Sequence, residues 1–187
     1  LLVGSEQIIS ALFGYGSFDE EAVLNSAKAL YYFGLGLPAF ALIKVFSTFF
    51  FANQDTKTPF YISFISVVLN ICISVYYFKS VGFIIIPIAT TISSWFNSLL
   101  LFIFLKKRNL FKFNNIFFEK IIKIFFVSFF MALFFKFLIS IFENQLAYEY
   151  YLKSFYLILS VFLGLSFYLI LSLLIKAFKY NDIKLKN

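Results

Sequence analysis

The chain has 187 residues, of which 62% are hydrophobic and only 13% charged, with a net charge of +7 and a mean hydropathy of +0.92. Soluble domains are about 45–50% apolar and about 25% charged, so this composition excludes a water-soluble fold. One cysteine and no histidine also exclude a disulfide framework, a cysteine–histidine metal cluster and histidine acid–base chemistry within the chain.

A bilayer-spanning helix needs roughly 20 consecutive apolar residues, and several stretches qualify. The apolar runs are continuous rather than alternating, unlike the dyad-patterned strands of a membrane barrel. The expected fold is an all-α polytopic transmembrane helix bundle. The chain starts Leu-Leu-Val and shows no basic leader with a cleavage site, so it is expected to be the C-terminal part of a longer protein.

Residues 1–14 read as the trailing end of a helix, closed by the turn signal Gly14-Tyr15-Gly16-Ser17. Ser17 or Asp19 then caps a new helix, with Asp19, Glu20 and Glu21 complementing its N-terminal dipole. The competing reading of this acidic triplet is a catalytic carboxylate cluster, as in a membrane glycosyltransferase, but capping alone accounts for its position. The first complete span is expected over 29–52, with Gly34 and Gly36 permitting close helix approach and Pro38 kinking the helix. A compact polar turn, Asn53-Gln54-Asp55-Thr56-Lys57-Thr58, leads to Pro59 at the first position of the next helix. The second span covers 60–78 and carries Asn70. After the tight turn Lys79–Gly82, the third covers 83–105, with Pro87 in its first turns and Asn97 two-thirds along. A basic loop, 108–120, precedes the fourth and fifth spans at 121–142 and 155–178, and a polar tail runs from 179 to 187.

Charge bias sets the orientation. Lys57, Lys106, Lys107, Arg108, Lys112, Lys120 and Lys123, with Lys176, Lys179, Lys184 and Lys186, fall on one side of an alternating topology. Asp19, Glu20, Glu21, Lys28, Lys79, Glu143, Glu149 and Lys153 fall on the other. The basic side is therefore expected to be cytoplasmic, and the positive charge is read as membrane orientation rather than nucleic-acid binding.

Candidate functional residues are polar side chains in apolar surroundings. A lysine at mid-membrane costs about 2.5–3.5 kcal/mol on insertion scales, so Lys44 needs a cavity, a partner or an anionic substrate unless it snorkels. Ser47 and Thr48, at i+3 and i+4, share its face. Asn70 and Asn97 are expected to bond between helices or to line a cavity. The turn Gln54, Asp55, Thr56, Lys57 and Thr58 reads as a connector or a gate at the cytoplasmic mouth. Lys136 is read as snorkelling.

Several stretches then resemble the C-terminal half of the MurJ/MviN lipid II flippases, of the multidrug/oligosaccharidyl-lipid/polysaccharide exporter superfamily. They are Leu12-Phe13-Gly14-Tyr15-Gly16-Ser17-Phe18-Asp19, Gly34-Leu35-Gly36-Leu37-Pro38-Ala39-Phe40, Lys44-Val45, Gln54-Asp55-Thr56-Lys57-Thr58-Pro59, Asn70 and Trp95-Phe96-Asn97. The last third is similar only in position and hydropathy. The resemblance implies a two-lobe exporter fold plus an extra C-terminal helix pair. Residues 1–107 would be part of the C-terminal lobe, 108–120 a cytoplasmic loop, 121–178 the extra pair with its groove for a lipid tail, and 179–187 a cytoplasmic tail. It implies translocation of lipid II across the bacterial inner membrane by alternating access, with lipid II, membrane lipids and cell-wall synthesis proteins as partners and no cofactor. It also implies that the cationic central cavity is lined mainly by helices outside this chain. A flippase for another polyprenyl-linked oligosaccharide and a non-catalytic scaffold of cell-wall synthesis are the alternatives.

Overall fold

A computed structural model of the chain describes residues 1–109 and 115–176. Six α-helices follow one another without a strand among the described residues: α1 Ser5–Phe13, α2 Glu20–Ala52, α3 Lys57–Val81, α4 Ile85–Lys107, α5 Asn115–Ile141 and α6 Lys153–Leu174. Each expected span has its helix among α2 to α6, although α4 begins at Ile85 rather than Phe83, α5 ends at Ile141 and α6 already ends at Leu174. Residues 177–178 of the fifth span, the tail 179–187 and residues 110–114 of the basic loop lie outside the described residues.

The boundaries differ for local reasons. The carboxylate of Asp19 accepts the Ala22 N–H at 2.8 Å, so α2 begins at Glu20 under the expected Asp19 cap, ahead of the expected membrane span from Ala29. The helix continues unbroken through Pro38. Upstream of that proline, the Tyr32 and Leu35 carbonyls of α2 accept further bonds from α4, from the Thr91 hydroxyl at 2.7 Å and the Trp95 indole at 3.1 Å. The contact is close because Gly36 lacks a side chain; a Cβ there would lie 3.0 Å from Thr91 Oγ1.

Instead of a four-residue turn at 79–82, α3 runs on to Val81 and the reversal is concentrated at Gly82. Its φ of 73° and ψ of −155° lie in a region open essentially to glycine alone, and its N–H donates to the Phe78 carbonyl. A short 3-10 turn, Gly82–Ile84, then feeds α4. Among the described residues four helical stretches are long and apolar enough to cross a membrane: Glu20–Ala52, Lys57–Lys107, Glu119–Ile141 and Lys153–Leu174. The second folds back at Gly82 into the two legs α3 and α4.

The chain forms two compact units. The first comprises Leu1–Ser5 and Leu24–Lys112, the second Glu6–Val23 and Phe113–Asn187. In the first, α3 and α4 form an antiparallel hairpin, and Phe50, Ile62, Leu101 and Leu105 make a buried cluster near its open end. In the second, α5 pairs with α6 through the stacked rings of Phe134 and Phe167, 4.5 Å apart, while Ala11, Leu146 and Leu157 pack at one end. Many large apolar side chains remain outside, among them Tyr61, Phe64, Val75 and Tyr76 on α3 and Phe125, Phe129 and Phe137 on α5. Lipid tails and other apolar helices are the surroundings that such faces require.

Candidate functional site

The first unit carries a polar seam along the α3–α4 hairpin. The Asn70 amide donates to Thr90 Oγ1 and to Ser93 Oγ, both at 3.1 Å, and its carbonyl accepts from Ser74 Oγ at 3.4 Å. Two turns nearer the open end, the Asn97 amide donates to Ser63 Oγ at 3.4 Å. Position sums of 160 for both 70–90 and 63–97 place all four residues in one antiparallel register. Each such interhelical bond is worth about 0.6 kcal/mol in a membrane bundle, so the seam fixes register more than it stabilises. The Asn97 carbonyl oxygen is buried and has no partner among the described residues. Beside the seam, Asn70, Ser66, Ser93 and Asn97 face a groove of about 390 Å³ that Phe40 and Ile43 of α2 also line.

At the open end of the hairpin the polar turn is locked. Asp55 accepts the Thr58 hydroxyl at 2.6 Å and the Thr58 N–H at 3.0 Å, and pairs with Arg108 just past α4. Arg108 also donates to Thr58 Oγ1 at 3.0 Å and sits 6.0 Å from the Phe50 ring centre. The Thr58 hydroxyl, the Thr58 N–H and then Arg108 together hold the Asp55 carboxyl down to about 2. Because the folded value is depressed, this contribution is complete above the ordinary carboxylate range and is lost only as pH falls towards 2. The turn is therefore indifferent to physiological pH. With Asp55 doing the capping, α3 begins at Lys57, and Pro59 is its third residue rather than its first. A missing N–H costs nothing there, because the first-turn donors have no partner within the helix. Gln54 takes a left-handed backbone, φ 59°, while Gln54, Thr56 and Lys57 are exposed.

Lys44 lies on the exposed side of α2, with no partner among the described residues. Thr48 is exposed and bonds backwards to the Val45 carbonyl at 2.5 Å, and Ser47 is half-buried. None of the three lines the groove, which α2 meets through Phe40 and Ile43. The structure thus brings Asn70 and Asn97 to one seam and gathers Asp55 and Thr58 at the turn, but leaves Lys44 apart from both. Lys136 is exposed on α5.

Sequence reasoning missed the partners that complete these networks. Arg108 stood only among the loop charges, and Ser63, Thr90 and Ser93 were not singled out. Charge bias counts Lys153 among the charges of the outer side, yet it is 1% exposed, and its ammonium donates to the Gly14 and Tyr148 carbonyls at 2.6 Å each. Tyr15 and Tyr148 flank it with ring centres 4.4 and 4.5 Å away. An Asp-x-x-Thr cap followed some 50 residues later by an arginine at the end of an antiparallel helix was a usable signal for Arg108. Lys153 had no comparable signal.

Long apolar helices around an internal polar seam define a multi-pass α-helical membrane protein. A family model described as lipid II flippase MurJ matches residues 1–162, and the chain belongs to that family. A Rhizobium meliloti protein named "Probable lipid II flippase MurJ" is 43% identical over 102 residues, 54% of this chain and 19% of the relative. A Rickettsia prowazekii protein of the same name is 34% identical over 109 residues, 58% of this chain and 22% of the relative. The "Lipid II flippase MurJ" of Burkholderia cenocepacia is 37% identical over 106 residues, 56% and 20% of the two chains. The matched part therefore spans about a fifth of the length of these relatives.

Proposed function

We propose that this chain is the C-terminal part of a lipid II flippase, which carries the lipid-linked peptidoglycan precursor from the inner to the outer leaflet of the bacterial inner membrane by alternating access. The observation that carries this reading is the family match over residues 1–162. The function in this reading is transport rather than catalysis, and it rests on the flippase description of the matched family. Alternating access rocks one half of a transporter against the other, and the locked turn and registered hairpin suit this chain to move as rigid pieces of one half. The basic loops and the C-terminus are cytoplasmic in this reading, so the Asp55–Arg108 turn lies at the cytoplasmic mouth.

Lys44 is the residue through which this part of the protein meets the precursor or its coupling partner. A lysine in an apolar helix is expensive, and nothing among the described residues compensates it. The compensation then comes from beyond these residues, as the anionic pyrophosphate of the precursor or an acidic side chain of another helix. Asn70 and Asn97 act behind it by setting the α3–α4 register, with Asn97 Oδ1 left to accept from a neighbour. In the full-length protein, Lys44→Met and Lys44→Gln are expected to lower lipid II translocation about tenfold or more while membrane insertion stays near wild type. Lys44→Arg should retain part of the activity, since it keeps the charge but not the compact ammonium. Full activity of Lys44→Met would reduce the residue to snorkelling and remove it from the site.

A further inference from the structure

The second unit holds a cavity of about 310 Å³ between the start of α1, the first turn of α2, and the end of α5 with the loop that follows. Three carboxylates, Glu6, Glu20 and Glu143, line it, and no basic residue does. None of the three has a hydrogen-bond or ion-pair partner among the described residues. Lys153 offers them no counter-charge, because its ammonium is held by the Gly14 and Tyr148 carbonyls.

The three carboxylates are exposed, whereas Ser10 is a buried polar group of the same lining. It lines the cavity and is 5% exposed, yet its hydroxyl has no hydrogen-bond partner among the described residues. Other buried helical serines turn back onto their own helix: Ser66 donates to the Ile62 carbonyl, Ser160 to Tyr156 and Ser172 to Leu169. Ser10 does not, and a buried hydroxyl left in that state calls for a ligand or an ordered water.

The lining offers acceptors and negative charge, so the matching ligand donates hydrogen bonds and is cationic. Among the described residues no three acidic, histidine or cysteine side chains converge closely enough to hold a metal ion. A point charge gripped by all three carboxylates is therefore a poor fit, and a cation with some reach is a better one. Val23, Ile139 and Leu146 supply an apolar wall beside the acidic groups, suited to a short aliphatic stretch. We propose that this cavity binds a primary ammonium group carried on a short aliphatic chain. The ammonium lies among Glu6, Glu20 and Glu143 and donates one N–H to Ser10 Oγ. A soluble polyamine and the ethanolamine headgroup of a phospholipid share this chemistry.

The test measures binding rather than translocation, so its failure is separate from any failure of the transport reading. Full-length protein in nanodiscs of phosphatidylglycerol alone is titrated calorimetrically with spermidine. In parallel, nanodiscs that also contain phosphatidylethanolamine are examined by native mass spectrometry for retained lipid. The expected result is saturable spermidine binding that weakens at least tenfold in Glu20→Gln/Glu143→Gln and several-fold in Ser10→Ala. The milder Glu6→Gln serves if the double variant folds poorly, and melting temperatures confirm folding. Retention of phosphatidylethanolamine without spermidine binding, lost in the same variants, assigns the ammonium to a lipid. Absence of both ligands from the wild type, or binding unchanged in folded carboxylate variants, overturns the proposal.

Discussion

At the residue scale the most constrained side chain is Lys153. A buried ammonium is costly unless its donors are taken up, and here two carbonyls at 2.6 Å and two tyrosine rings surround it. The Gly14 carbonyl lies just past the C-terminus of α1, where a cation also favours the helix dipole. The adjacent Ser154 donates to the Ala11 carbonyl and meets the Tyr15 hydroxyl, both at 2.6 Å. Gly14 completes the fit, because a Cβ there would lie 2.6 Å from the Ser10 carbonyl oxygen and 3.0 Å from the Tyr148 ring. Lys153→Met leaves two buried carbonyls without a donor and should destabilise the protein by about 1–3 kcal/mol, read as a lowered melting temperature. Lys153→Arg should do no better, since a planar guanidinium does not fit a cage shaped for a compact ammonium. An unchanged melting temperature for Lys153→Met would show the cage to be incidental. Hydropathy could not reveal this residue, because its partner carbonyl is 139 positions away in the chain and a carbonyl acceptor leaves no mark on side-chain sequence. Asp55 was easier to read: its cap partner is three residues on, within the reach of local pattern.

At the scale of elements, apolar run length determined the helices and local chemistry their ends. All five expected spans have a helix in the structure, because a stretch of about 20 apolar residues in lipid has no alternative to satisfying its backbone internally. The start of α2 follows the expected Asp19 cap, whereas other ends moved where a single residue decided them: Asp55 drew α3 back to Lys57, and Gly82 took the reversal. Asn70 and Asn97 could be singled out as amides in apolar helices, but their partners Thr90, Ser93 and Ser63 depend on the register that Gly82 imposes. Gly82→Ala tests that dependence. Nothing lies within 4 Å of the added Cβ, so any loss comes from backbone strain, about 1–3 kcal/mol for this region. The expected outcome is a lowered melting temperature without aggregation. A neutral substitution would mean that the hairpin does not need the left-handed residue.

At the scale of the whole molecule, the grouping of residues 6–23 with 113–187 was not legible. It rests on contacts such as the Tyr148 hydroxyl on the Phe18 carbonyl, 2.7 Å long and 130 positions apart. Orientation, by contrast, rests on charge alone and is directly testable. A cysteine at Lys107 should react only with reagents that reach the cytoplasm, and one at Glu149 with impermeant external reagents. The opposite pattern would invert every loop. The central claim is that the chain contributes to translocation as part of a larger two-lobe transporter, and movement of fluorescent lipid II in proteoliposomes tests it most directly. The full-length protein is expected to translocate the lipid, whereas residues 1–187 alone should not exceed empty liposomes. Substrate-dependent translocation by residues 1–187 alone, or none by the full-length protein, would contradict the account.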